Sequence, residues 1–131
     1  MISPEFDIEL ASQAGATHLW LPTVDEIYPG EVQKISAGAL GDIYEGVKRP
    51  GHFDGVLTVV NRLFELVKPQ WAIFGEKDFQ QLTLIKSMKS DVEIIGAPTI
   101  RDTDGLALSS RNVRLSDPKA ALVIYRALLA A

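Results

Sequence analysis

The sequence predicts an α/β domain, a partial Rossmann-like parallel sheet with flanking helices. Two observations carry that expectation. Short apolar runs of strand length alternate with stretches of helical periodicity. The runs at 71–74 and 92–95 also bracket a helical stretch, the strand, helix, strand order of a βαβ unit with parallel strands. The size suits one such domain, since 131 residues that are 47% hydrophobic and 23% charged support a single core.

The opening residues 1–6 show no periodicity and are read in part as a remnant of a cloning junction, with the domain running from 7 to 131. Over 7–14, Ile8, Ala11 and Ala14 recur at helical spacing and Gly15 supplies a stop, so a helix is expected to feed a short buried strand at 17–21. His18, inside that run, reads as a structural group. Pro22 and Tyr28-Pro29-Gly30 mark a loop, and 32–35 is expected to add a short extra strand. Residues 53–67 carry Val56, Val59, Val60, Leu63, Phe64 and Val67 at helical spacing, a core-facing helix that Pro69 ends. Trp71-Ala72-Ile73-Phe74 is a continuous apolar run suited to a strand covered on both faces. Asp78 is placed to cap the next helix with Gln81 as its capping-box partner, and Phe79, Leu82, Ile85 and Met88 form the apolar stripe. Residues 92–95 make the next strand and 98–108 a polar connection. Asp117-Pro118 then starts a terminal helix within 116–131. Three strands besides the short extra one fall short of the roughly five or six in a doubly wound nucleotide-binding sheet, so the chain reads as part of a larger protein.

Composition narrows the function. No apolar run approaches the ~20 residues that cross a bilayer, and no secretory signal pattern opens the chain. With no cysteine and two separated histidines, disulfides, a thiolate nucleophile and a Cys- or His-rich metal site are not expected, and a reducing cytoplasm fits. A net charge of −4 argues against a broad nucleic-acid surface, yet thirteen Lys and Arg residues suffice for a local anion pocket.

Three stretches carry candidate chemistry. Ligands of open α/β sheets gather outside the carboxyl ends of strands, where helix N-termini offer N–H groups to an anion. Phe74-Gly75-Glu76-Lys77-Asp78 holds that place: Gly75 permits close backbone approach, Lys77 supplies a cation for a phosphate, and Asp78 caps the helix or faces a polar ligand group. An ordinary strand-to-helix turn uses the same residues. Gly105-Leu106-Ala107-Leu108-Ser109-Ser110-Arg111-Asn112 sets two hydroxyls beside a guanidinium, a donor set suited to phosphate oxygens; turn residues with a surface-paired arginine are the competing reading. Arg49-Pro50-Gly51-His52-Phe53 either brings a guanidinium to a carboxylate substrate or simply shapes the start of a helix, and a lone His52 reads as structural.

In this order the three motifs closely resemble the pantoate–β-alanine ligase (pantothenate synthetase) family of the nucleotidylyltransferase superfamily, with the likeness running from about residue 7 to the end. The resemblance implies a Rossmann-like N-terminal domain, a smaller C-terminal domain and a homodimer. It also implies a cytoplasmic reaction in which ATP and magnesium convert pantoate to pantoyl adenylate with release of pyrophosphate, after which β-alanine displaces AMP. By resemblance, Gly75, Glu76, Lys77 and Asp78 form the first ATP segment, with Asp78 toward the metal and Lys77 on phosphate. Leu108, Ser109, Ser110 and Arg111 form the second ATP segment, and Ile100 meets adenine through its backbone. Gln81 binds pantoate, Arg49 lies near the carboxylate substrates, and Val59, Val60 and Phe74 wall the pantoate pocket. Lys77, Ser109, Ser110 and Arg111 carry the catalytic burden, because adenylation joins two anions and needs donors on the transferred phosphoryl oxygens.

The family's His-x-Gly-His segment and a further substrate-binding glutamine have no match in these residues, so the chain is expected to be inactive alone. Two other readings stay open: another adenylyl-transferring member of the superfamily, or a non-catalytic nucleotide-binding or assembly module.

Overall fold

The computed structural model describes residues 4–130. The rest, 1–3 of the expected junction remnant and 131 of the expected terminal helix, lie outside the described residues. The elements run α1 (Pro4–Gln13), α2 (Val24–Ile27), α3 (Gly38–Gly41), α4 (Glu45–Lys48), α5 (His52–Val67), β1 (Trp71–Gly75), α6 (Phe79–Lys86), β2 (Glu93–Ala97) and α7 (Pro118–Leu129). Turns of 3₁₀ helix occupy Glu76–Asp78 and Ser110–Arg114. Strands β1 and β2 pair in parallel, with Trp71 opposite Glu93 and Gly75 opposite Ala97. The expected βαβ unit is therefore present. No described helix is long and apolar enough to cross a membrane.

Several boundaries differ from the sequence expectation. Helix α1 starts at Pro4 rather than at 7, since proline is tolerated in a first helical turn where its missing N–H is no loss. It stops as expected: Gly15 adopts φ +87, and the Gly15 and Ala16 N–H groups donate back to the Ser12 and Ala11 carbonyls, a Schellman closure. Residues 17–21 form no strand; they run as exposed irregular chain, and His18 is exposed with them. An apolar run becomes a strand only beside an edge that takes up its backbone groups, and the described sheet has two strands, β1 and β2. The expected strand at 32–35 is also missing. There the backbone is tied to helix side chains instead: Ile35 N–H donates to Thr58 Oγ1 at 2.9 Å and Ala37 N–H to Asp54 Oδ1 at 2.7 Å.

The core lies between α5 and α6. Phe53, Leu57 and Val60 from α5 meet Leu84 and Ile85 from α6, and Phe64, Phe74, Met88 and Ile94 pack against that cluster. Helix α5 spans the predicted range, but its stripe is shifted: Phe53 and Leu57, outside the predicted set, are its most buried apolar residues, while Val67 is 55% exposed. The helix ends at Lys68, which turns to φ 49 before Pro69. Strand β1 buries one face only. Ala72 and Phe74 are half-buried toward the core, while Ile73 is 69% exposed on a face that no described element covers.

The α6 stripe also differs. Phe79 is 70% exposed, and the buried positions are Leu82, Leu84 and Ile85. Nor does the Asp78 carboxylate cap the helix. An N-cap residue has extended backbone, whereas Asp78, coming off the 3₁₀ turn, has φ −95 and ψ 61 and makes no capping bond to Gln81 or its neighbours. A capping box does form at α2, where Thr23 and Glu26 exchange bonds. Donation from the Thr23 N–H and hydroxyl holds the Glu26 carboxyl below its ordinary range.

Ile85→Ala, at a position 1% exposed, is expected to destabilise the chain by about 3 kcal/mol in urea unfolding. Phe79→Ala is expected to change stability by less than about 0.5 kcal/mol. The reverse order would restore the stripe read from periodicity.

Candidate functional site

Strand β1 delivers Gly75 and the Glu76–Asp78 turn to the upper end of the sheet, and α6 continues from it with Gln81. Beside this turn, α4 and the first residue of α5 bring Glu45, Arg49 and His52. The chain leaving β2 returns to the same place. It makes a tight reversal in which Arg101 faces Ala107 across an antiparallel bridge, with Asp102 Oδ1 accepting the Asp104 and Leu106 N–H groups. Ser109 then begins the second 3₁₀ turn by accepting the Arg111 N–H at 3.2 Å, and Asn112 Nδ2 donates to the Ala107 carbonyl at 3.0 Å. These local bonds set Ser109, Ser110 and Arg111 opposite Lys77.

The result is a cleft of about 270 Å³ lined by Lys77, Asp78 and Gln81 on one side, Ser109, Ser110 and Arg111 on another, and Glu45, Arg49 and His52 on the third. All three predicted motifs therefore contribute to one concavity. Its charges are partly neutralised in place: Arg49 Nη1 lies 2.7 Å from Glu45 Oε1, and Lys77 Nζ lies 3.4 Å from Asp78 Oδ1. Arg111 makes no ion pair among the described residues. Since both pairs are substantially exposed, each is worth little in water and is readily exchanged for an anionic ligand.

Other predicted residues lie off the cleft lining. Val60 is buried in the α5–α6 core and Val59 is packed against it. Phe74 meets Phe64 edge-on with ring centroids 6.4 Å apart. Glu76 lies against Gly96. Ile100 is 66% exposed, and its carbonyl accepts the Leu108 N–H at 2.9 Å. Gly75, two residues before Lys77 and itself not in the cleft lining, has φ −72, a conformation open to any residue, and a side chain there would meet nothing within 4 Å. Neither backbone nor packing within this chain requires that glycine.

Lys77 also lines a second cavity of about 200 Å³, walled by Arg101, Leu106, Leu115, Ile124 and Tyr125. Here the Arg101 guanidinium stacks 4.7 Å above the Tyr125 ring and donates to the Gly105 carbonyl at 3.1 Å. Gly105 has φ +96, and a Cβ at this position would overlap the Tyr125 ring. The loop after β2 is thereby seated on α7. Two larger concavities, about 510 and 580 Å³, run along α5 beneath the Tyr28 to Gln33 loop. Of the three predicted motifs they contain only Gly51, and the cation in the larger, Arg62, is already bonded to the Ile27 carbonyl and Glu65.

Sequence reasoning passed over Glu45, although its i,i+4 spacing to Arg49 was readable, and assigned His52 to structure where it lines the cleft. Gly105 facing Tyr125 had no local signal, because the two are twenty residues apart in sequence.

A parallel βαβ unit with a cationic turn at the strand's carboxyl end and a hydroxyl-rich loop facing it defines an α/β fold of the nucleotide-binding class. The pantoate-beta-alanine ligase family model matches residues 3–131. The chain belongs to that family. It is 52% identical to the pantothenate synthetase of Streptomyces coelicolor, with 95% of this chain and 39% of that protein covered. A crystal structure of the Thermus thermophilus enzyme superposes with a TM-score of 0.89 at 50% identity, covering 99% of this chain and 50% of that one. The Francisella tularensis pantoate-beta-alanine ligase, complexed with beta-gamma ATP and beta-alanine, superposes with a TM-score of 0.85 at 39% identity, covering 96% of this chain and 51% of that one. The chain thus spans about half the length of these solved relatives, and less of the Streptomyces protein.

Gly105→Ala should lower stability by about 2 kcal/mol or more, from the positive φ together with the ring overlap. In a Tyr125→Ala background the same substitution should cost only about 1 kcal/mol. Equal costs in both backgrounds, measured by urea unfolding, would show that the ring is not the obstacle.

Proposed function

We propose that this chain forms the ATP- and pantoate-binding part of a pantoate–β-alanine ligase. The reading rests above all on one observation: Lys77 and Asp78 share a single cleft with Ser109, Ser110 and Arg111. Gly75 supports it, since a glycine that its own chain does not require suits close approach of a ligand.

In this reading the pantoate carboxylate oxygen attacks the α-phosphorus of ATP. A new P–O bond forms, the bond to the β-phosphate oxygen breaks, and pyrophosphate leaves. The amine of β-alanine then attacks the acyl carbon, loses a proton and displaces AMP, giving pantothenate. No protein nucleophile is needed. Lys77 and Arg111 oppose the charge that builds on the phosphoryl oxygens, and the Ser109 and Ser110 hydroxyls donate to them. Gln81 holds pantoate through its amide. Arg49 meets a substrate carboxylate by exchanging out of its pair with Glu45. Val59, Val60 and Phe74 act from behind, as packing that shapes the pantoate side, and Ile100 and Leu108 flank the adenine side. Gly75 and Glu76 complete the first ATP segment.

Magnesium suits the donor set. Of the two exposed carboxylates at the cleft, Glu45 is paired with Arg49, while Asp78 has an Oδ2 without a partner among the described residues, and Mg²⁺ characteristically takes one or two carboxylates together with substrate phosphates. Held there, it would supply charge neutralisation at the phosphates. The parent protein is inferred to be a cytoplasmic homodimer with β-alanine as third substrate, and this chain by itself is expected not to turn over.

Calorimetric titration with ATP and with pantoate tests the reading. Both are expected to bind, and Lys77→Ala or Arg111→Ala should each weaken ATP about tenfold or more, the value of one charge-assisted hydrogen bond. ATP binding alone would favour a generic nucleotide module, and binding of neither would end the proposal. Pantothenate formation by this chain alone would contradict its expected inactivity.

A further inference from the structure

Gln80 sits next to the proposed pantoate ligand Gln81 but points the other way. Its Nε2 donates to Leu40 O of α3 at 2.8 Å and to Ile43 O of the turn before α4 at 2.9 Å, while its Oε1 accepts the Glu45 N–H at 3.1 Å. One half-buried side chain thus uses both amide hydrogens and its oxygen on a segment some forty residues away in sequence.

The segment it holds is unusual. Ile43 and Glu45 flank Tyr44, whose backbone has φ 51 and ψ −114, well outside the ordinary range for a residue with a side chain. Such a conformation persists only where surrounding bonds over-determine it. Two of the three Gln80 bonds fall on the peptide groups to either side of Tyr44. The loop is also closely packed, since a Cβ on Gly46 would overlap the Gly41 carbonyl. Tyr44 is 77% exposed and buries no side chain in compensation. Immediately downstream, Glu45 opens α4 and pairs with Arg49, whose N–H closes that helix onto the Glu45 and Gly46 carbonyls.

We propose that Gln80 is a positioning residue, which fixes the strained Tyr44 turn and so sets Glu45 and Arg49 against the Lys77–Gln81 side of the cleft. The proposal deepens the reading above and rests on it for the role of Arg49 toward a carboxylate substrate. Gln80 touches no ligand. Its effect should fall on the carboxylate side of the site and spare the phosphate side, a split that general loss of stability would not produce.

The test compares Gln80→Met, which keeps length without polarity, with Gln80→Glu, which keeps the acceptor and loses both donated bonds. In the ligand-free protein, Gln80→Met should speed amide hydrogen exchange at Glu45 and Arg49 by about tenfold or more, with residues 63–67 of α5 unchanged. Gln80→Glu should speed exchange at Arg49 in the same way. In calorimetry both variants should weaken pantoate binding about tenfold and leave ATP affinity within about twofold. Unchanged exchange at Glu45 and Arg49 in Gln80→Met would overturn the proposal, as would equal weakening of both ligands. If the wild-type chain binds no pantoate, the reading of the site as a pantoate site fails, and the exchange comparison still decides whether Gln80 sets the turn.

Discussion

The apolar contact between α5 and α6 is the constraint on which the rest of the structure depends. Phe53, Leu57 and Val60 close on Leu84 and Ile85, and the two helices that meet there carry two walls of the cleft at their N-terminal ends. His52 opens α5 and Arg49, which closes α4, lies three residues before it, while Lys77, Asp78 and Gln81 sit at the start of α6. Because packed interiors tolerate little shift, the spacing of those cations follows from the interdigitation of side chains in the core. The third wall is set differently. The chain after β2 is guided by the parallel register with β1, then by the Asp102 turn, and is seated on α7 through Arg101, Gly105 and Tyr125.

Electrostatics gives that geometry its use. The chain is acidic overall, with a net charge of −4, yet three cations converge on a small concavity. Two of them are held by exposed local pairs, Arg49 with Glu45 and Lys77 with Asp78. An anion that enters replaces weak contacts with stronger charge-assisted ones. Acidic surroundings and a cationic pocket together favour a small anionic ligand over a long polyanion.

Much of this was legible in the sequence where the signal was local. The extent of α5, the β1–α6–β2 order and the Asp117-Pro118 start of α7 appear where periodicity and capping chemistry place them. The cleft residues were legible because the Gly-Lys turn and the twin-serine loop each carry their chemistry in a few adjacent positions. What failed depended on neighbours distant in the chain. Residues 17–21 have strand composition, but pairing is a property of two segments. Asp78 has the residue type of an N-cap, and the 3₁₀ turn before it sets the wrong backbone. Phe79 has the spacing of a core residue, yet Leu84 takes the buried place. The Thr23 and Glu26 capping box is written in the sequence as T-x-x-E, inside a stretch whose proline and glycine residues read as loop. Gln80 and Tyr125 were silent, since each acts on a segment that only folding brings near.

The central claim is that the Lys77 turn and the Ser109-Ser110-Arg111 loop serve one phosphate chain. Titrating ¹⁵N-labelled protein with ATP while following backbone amide resonances tests it most directly. The account predicts that the signals of Lys77 and Asp78 and those of Ser110 and Arg111 shift together, along one binding curve. Movement of one group while the other stays fixed through saturation would contradict it.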